Sequence, residues 1–228
     1  VQPGFDADVA FDAVARSLAP LADADRGGEM TRYMRGKFPY LGIGAPDRRR
    51  ATKETVRSAR RADADALLAF VDRCWAAPER EYQYVATDAL REGRGALRPE
   101  HLASLRRLIT TGSWWDTVDA IAPWPIGSLV ERYPDVVATM DDWIGDDDFW
   151  VARSALLHQL HFKERTDADR LFRYVLHVAD SDEFFLRKAA GWALRQYART
   201  DPDAVSSFVA ANESVLSPLT RREATKHL

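Results

Sequence analysis

The chain has 228 residues, 46% apolar and 29% charged, with a formal net charge of −3. That length and balance suit a globular protein with a substantial core; they exclude a disordered chain, and no apolar run approaches the roughly 20 residues that span a bilayer. The lone cysteine, Cys74, excludes an internal disulfide and a cysteine-cluster metal site, which fits a reducing, cytoplasmic setting. The first residue is Val1, with no charged and apolar leader, so a few residues are expected to precede it.

Apolar residues recur at three- and four-residue spacings along nearly the whole chain, and Asp, Ser or Pro marks most starts. The pattern predicts helices over 6–19, 28–37, 46–61, 63–76, 79–92, 98–110, 113–122, 126–132, 134–143, 148–162, 167–179, 183–199, 202–211 and 218–227. No Gly/Ser/Pro-rich linker divides them, so residues 1–228 read as a single all-α domain.

The later helices repeat. DFWVARSA (148–155) and EFFLRKAA (183–190) share the order acid, aromatic, aromatic, apolar, variable, basic, small, Ala at a spacing of 35 residues. SPLTRREA (217–224) keeps the basic residue and the alanine, and the same step backwards reaches Ser113. Such a period is that of a two-helix unit, somewhat shorter than the usual HEAT repeat. The predicted fold is therefore an α-solenoid of HEAT-like two-helix repeats forming a concave groove.

One repeat opens on GSWWDTVD (112–119). Helix geometry separates its neighbours onto different faces. Ser113 is expected to cap the helix, with Asp116 answering in a capping-box arrangement, and Trp114, Val118 and Ile121 to form the buried stripe. Trp115, Asp119 and Ala122 fall on an adjacent face, leaving Trp115 and Asp119 as the candidates for chemistry. Arg153 takes the basic position one repeat later and is placed beside Asp119, either as a structural salt bridge or with a functional role. Trp192 follows Gly191 one repeat further, with Arg195 three residues on.

Charge is uneven. Between Asp47 and Arg61 seven basic residues face two acids, and a second basic concentration lies at Arg221, Arg222 and Lys226. Such a run is a solvated helix face or the footprint of a polyanion. Among the five histidines, only His158 and His161 share a helix face, without a carboxylate signature, so no metal site is expected.

The sequence resembles the AlkD-type DNA alkylation repair enzymes, glycosylases built from HEAT-like repeats. The resemblance rests on MTRYMRGKFPYLGIGAPDRR (30–49), SWWDTVD (113–119), EFFLRKAAGWALRQYARTDPDAV (183–205) and LSPLTRREATKHL (216–228), which span almost the whole chain in family order. Ala45 departs from it, standing where the family often has a capping Thr or Ser. The resemblance implies excision of N3- and N7-alkylated purines, such as 3-methyladenine, 7-methylguanine and bulkier adducts, from double-stranded DNA by a monomer without cofactor. It implies a catalytic cluster of Trp115, Asp119 and Arg153, with Trp192 also facing the lesion, and DNA contacts at Tyr33 and Arg49. Lys37, Arg195, Arg222 and Lys226 join the expected DNA-binding set.

Chemistry accords with those positions. An N3- or N7-alkylpurine nucleoside is cationic, so its base leaves without a general acid. The site must instead stabilise positive charge on the base and then on an oxocarbenium-like sugar. A carboxylate at Asp119 does this and can orient water. Each tryptophan face adds about 0.5–2 kcal/mol to binding of a cation. Arg153 is given to a phosphate beside the lesion. The base is expected to be cleaved without being sequestered in a pocket. The rival reading is a non-catalytic HEAT-like scaffold that binds DNA or a protein.

Overall fold

Aspartates start six of the helices: Asp6, Asp23, Asp63, Asp148, Asp167 and Asp201 each accept a backbone N–H from the first turn that they precede. These carboxylates satisfy orphan amides at the positive ends of helix dipoles. The computed structural model describes residues 4–226 and contains α-helices, short 3-10 turns and no strand among them. His227 and Leu228, at the end of the last predicted helix, lie outside the described residues. No helix is long and apolar enough to cross a membrane.

By packing, the chain divides into two compact units, Val1–Ser104 and Leu105–Leu228. The first holds α1 (Ala7–Leu18), α2 (Ala24–Tyr33), α3 (Ala45–Ser58), α4 (Ala64–Ala76) and α5 (Arg80–Gly93). Helices α3 and α4 pack on α1, and α5 packs on both of them, around Val14, Leu18, Leu67, Phe70, Val71, Val85 and Leu90. Cys74 is buried in this core, where burial pushes its thiol pKa far up. It serves as a small apolar filler.

α2 lies four residues earlier than the predicted 28–37. Asp23 caps it, and Arg35 and Gly36 adopt left-handed φ values of 58° and 72° that end it. The following loop is pinned from beneath by the buried carboxylate of Glu81, which accepts the amides of Leu41 and Gly42 at 2.9 Å and Ile43 at 3.0 Å. Gly42, at φ 88°, presses against Asp23, whose carbonyl oxygen a Cβ would meet at 2.0 Å. α3 has no side-chain cap because its cap residue is Gly44; Ala45, which the sequence suggested as the cap position, is already the first helical residue.

The second unit begins within α6 (Leu102–Thr110) and continues through α7 (Trp115–Ile121), α8 (Gly127–Arg132), α9 (Val137–Trp143) and α10 (Phe149–Leu157). α11 (Ala168–His177), α12 (Phe184–Tyr197), α13 (Pro202–Ala211) and α14 (Pro218–Ala224) complete it. Between α7 and α8, residues Ala122–Ile126 form a wide π-helical turn. Pro123 and Pro125 lack amide donors, which denies that turn its normal ladder. Helices α7, α10, α12 and α14 pack in series, while α9 packs on α10, α11 on both α10 and α12, and α13 on both α12 and α14.

That series is the 35-residue repeat made physical. Asp148, Glu183 and Ser217 are the caps of α10, α12 and α14, and each side chain accepts a first-turn amide. The earlier copy starts one residue later than the sequence alignment put it. Trp114, not Ser113, is the residue before α7, with an extended φ of −160° and no side-chain cap. Asp116 Oδ1 accepts the next amide, Thr117 N–H, at 3.0 Å. Ser113 is therefore not the cap of this helix that the sequence led one to expect. The shift brings Asp119, Arg153, Lys188 and Arg222 to one register, five residues after the residue that precedes each helix.

Candidate active site

Aromatic packing decides which tryptophan of the pair is core. Trp114 is buried, with ring centroids 5.8 Å from Trp150 and 5.0 Å from Phe185, the latter edge-on. The next residue points elsewhere. Trp115 is half-buried and lines a cavity of about 300 Å³ with Asp119, Arg153 and Trp192. Phe184, Phe185, Lys188 and Arg195 complete its wall. Ala122, expected beside Trp115 and Asp119, is fully buried, because helix α7 gives way there to the π-helical turn.

The four residues of the expected catalytic cluster thus converge from α7, α10 and α12. Arg153 Nε donates to Asp119 Oδ1 at 2.8 Å and Nη2 to Oδ2 at 2.7 Å, a two-point fork that fixes the carboxylate plane. Its Nη1 donates to the carbonyl of Phe185 in the first turn of α12. Only 3% of Arg153 is exposed. The buried guanidinium is thus committed to Asp119 and a helix carbonyl, which is the salt-bridge alternative for Arg153 and leaves little of it exposed to a DNA phosphate.

Burial raises the Asp119 carboxyl above the ordinary carboxylate range, against the lowering effect of Arg153. The result is a largely desolvated carboxyl group that lines the same cavity as Trp115 and Trp192. Such a site favours a compact or planar cation over a neutral guest.

Arg195, expected to bind DNA, lies on the cavity wall and is paired with Glu223 at 2.7 Å. Arg222 and Lys226 are exposed at and beyond α14. In the other unit, Tyr33 is 77% exposed at the end of α2, and Lys37 is exposed in the turn that follows. Arg49 is exposed on α3, 3.9 Å from Asp88.

Sequence reasoning passed over Phe184, Phe185, Lys188 and Glu223. Lys188 had a signal, since it holds the recurrent basic position that singled out Arg153. Phe184 and Phe185 stood in the repeat pattern as core aromatics, and nothing in the spacing marked Glu223. No group of three or more His, Cys, Asp or Glu suited to a metal occurs among the described residues. His158 is buried, with Nδ1 2.6 Å from the Ala155 carbonyl oxygen, and His161 lies against Trp124 at 4.4 Å between ring centroids.

The family model for DNA alkylation repair enzymes matches residues 14–228. The chain belongs to the DNA alkylation repair enzyme family. Its fold is similar to the structure described as a predicted DNA alkylation repair enzyme from Enterococcus faecalis, at 33% identity and a TM-score of 0.83, covering 91% of this chain and 96% of that one. None of the curated proteins compared matches this chain.

Proposed function

We propose that this DNA alkylation repair protein is a monofunctional DNA glycosylase that releases cationic N3- and N7-alkylpurines from double-stranded DNA. The observation that carries the reading is the ionisable, desolvated Asp119, clamped by Arg153 and sharing its cavity with two half-buried tryptophans. The alkylated base is already a good leaving group. As the C1′–N bond lengthens, positive charge moves from base to sugar, and a fixed carboxylate stabilises it without having to reorganise. Water then adds at C1′, and its proton is released, with Asp119 orienting the attack. No cofactor enters this scheme.

Residues 1–228 are read as one repair domain acting as a monomer in the cytoplasm, with the DNA. The serial stacking of α7, α10, α12 and α14 supports HEAT-like repeats in the second unit. Exposed Tyr33, Lys37, Arg49, Arg222 and Lys226 suit contacts to the backbone. Selectivity comes from the charge and lability of the lesion, so 3-methyladenine and 7-methylguanine are substrates and uracil is not.

The test is release of methylated bases from alkylated duplex by the wild type and by Asp119→Asn. Loss of roughly 100-fold or more in the single-turnover rate, with duplex binding retained, is the expected result. Efficient release of uracil by the wild type, or unchanged excision by the variant, overturns the reading.

A further inference from the structure

Lys188, Trp192 and Arg195 stand at i, i+4 and i+7 on α12 and share one face, all three on the cavity wall. Trp192 already has a place in the proposed chemistry. The two cations that flank it do not, and both converge on one carboxylate. Lys188 Nζ lies 2.6 Å from Glu223 Oε1, and Arg195 Nη1 lies 2.7 Å from Oε2.

Glu223 is buried, and the hydrogen bond from Lys188, with the charges of Lys188 and Arg195, holds its carboxyl below the ordinary range. Gly191 makes the arrangement possible. A Cβ there would stand 2.5 Å from Cβ of Glu223 and 2.7 Å from the Thr220 carbonyl oxygen, so α14 lies directly against α12. One anion between two cations leaves a surplus positive charge at the cavity edge, whereas Asp119 and Arg153 cancel. The pairing engages one of three ammonium donors and one of five guanidinium donors, leaving others in number to receive a ligand. Lys188 and Arg195 remain partly exposed.

We propose that Lys188 and Arg195, held at a fixed spacing by Glu223, form a receptor for a single backbone phosphodiester of DNA at the rim of the cavity. Glu223 is the positioning residue of this clamp. The inference rests on the duplex-binding part of the proposed function but not on base excision. Two cations on one tetrahedral diester fix the distance between the backbone and the Trp115 and Asp119 surface, which a single flexible lysine cannot do.

The experiment measures binding of undamaged duplex across a salt series for Lys188→Ala, Arg195→Ala and the double variant, each with and without Glu223→Gln. Each single variant is expected to weaken binding and to lower the magnitude of the log K against log salt slope by about 0.9, and the double variant by no more than that. Glu223→Gln should make the two losses additive. Lys188→Arg, which keeps the charge, should retain the slope. At matched ionic strength, inorganic phosphate should displace duplex no better than chloride. Unchanged slopes, a double loss of about 1.8, or additivity that is indifferent to Glu223 overturns the clamp. Specific displacement by inorganic phosphate also overturns it, by assigning the cations to a free anion. Base release, assayed separately, decides the glycosylase reading alone.

Discussion

Arg153 and Asp119, 34 positions apart, close a two-point bridge from α10 to α7 with N···O distances of 2.8 and 2.7 Å. The bridge fixes the carboxylate and spends the guanidinium. An arginine so placed acts on a reaction through the group it holds.

Arg153→Ala should therefore lower the rate of the chemical step much more than it weakens duplex binding. It should also alter the pH profile. On the proposed mechanism activity requires ionised Asp119, whose pKa lies above the ordinary carboxylate range because of burial and is restrained by Arg153. The wild-type acid limb should thus fall at a higher pH than for an exposed aspartate. Removing Arg153 should move it higher still, so activity is lost sooner on acidification. A single-turnover pH profile that does not move would detach Arg153 from Asp119's ionisation.

Gly191→Ala should destabilise the protein by about 1–3 kcal/mol, since the added methyl meets Cβ of Glu223 and the backbone of α14. Neither α12 nor the Thr220 backbone can give way cheaply at those distances. A urea titration that finds the midpoint unchanged would show that α14 yields more easily than its packing implies.

Glu81→Gln tests the support beneath the loop before α3. The carboxylate receives three amides, and a side-chain amide can accept with only one of its oxygen positions. The expected cost is about 2–3 kcal/mol, from lost charge-assisted bonds and an unsatisfied buried amide. Hydrogen exchange should quicken first at Leu41 to Ile43. Unaltered protection there would count against the pinning role.

His158 makes stability depend on pH in a definite direction. Burial lowers its pKa from 6.5 to about 4. Between those values the unfolded chain takes up a proton that the folded chain refuses. This contribution is complete above pH 6.5 and is lost as pH falls toward 4, to a total of about 3 kcal/mol. His158→Asn should have a flatter stability profile between pH 7 and 4. Parallel profiles for the two proteins would rule out His158 as the source.

The sequence alone determined the helical class and singled out residues that the fold brings to one cavity. A 35-residue recurrence of cap, aromatics and basic residue is a local pattern, and α-helical periodicity follows from local geometry. Thus Trp115, Asp119, Arg153 and Trp192 stood out before any contact was known. The helix starts were less legible. Ser113 and Asp116 have the right chemistry for a cap, yet extended Trp114 precedes the helix, its ring engaged with Trp150 and Phe185. Burying that aromatic cluster outweighs one capping bond.

Only tertiary structure settled what the charges do. Sequence counts an arginine as a cation available to DNA, but burial and pairing decide whether it is. Arg153 faces inward to Asp119, Arg195 shares Glu223 with Lys188, and Arg49 remains exposed. Those differences come from side chains brought together across helices whose residues lie about 30 to 40 positions apart, and only the packed fold specifies such distances.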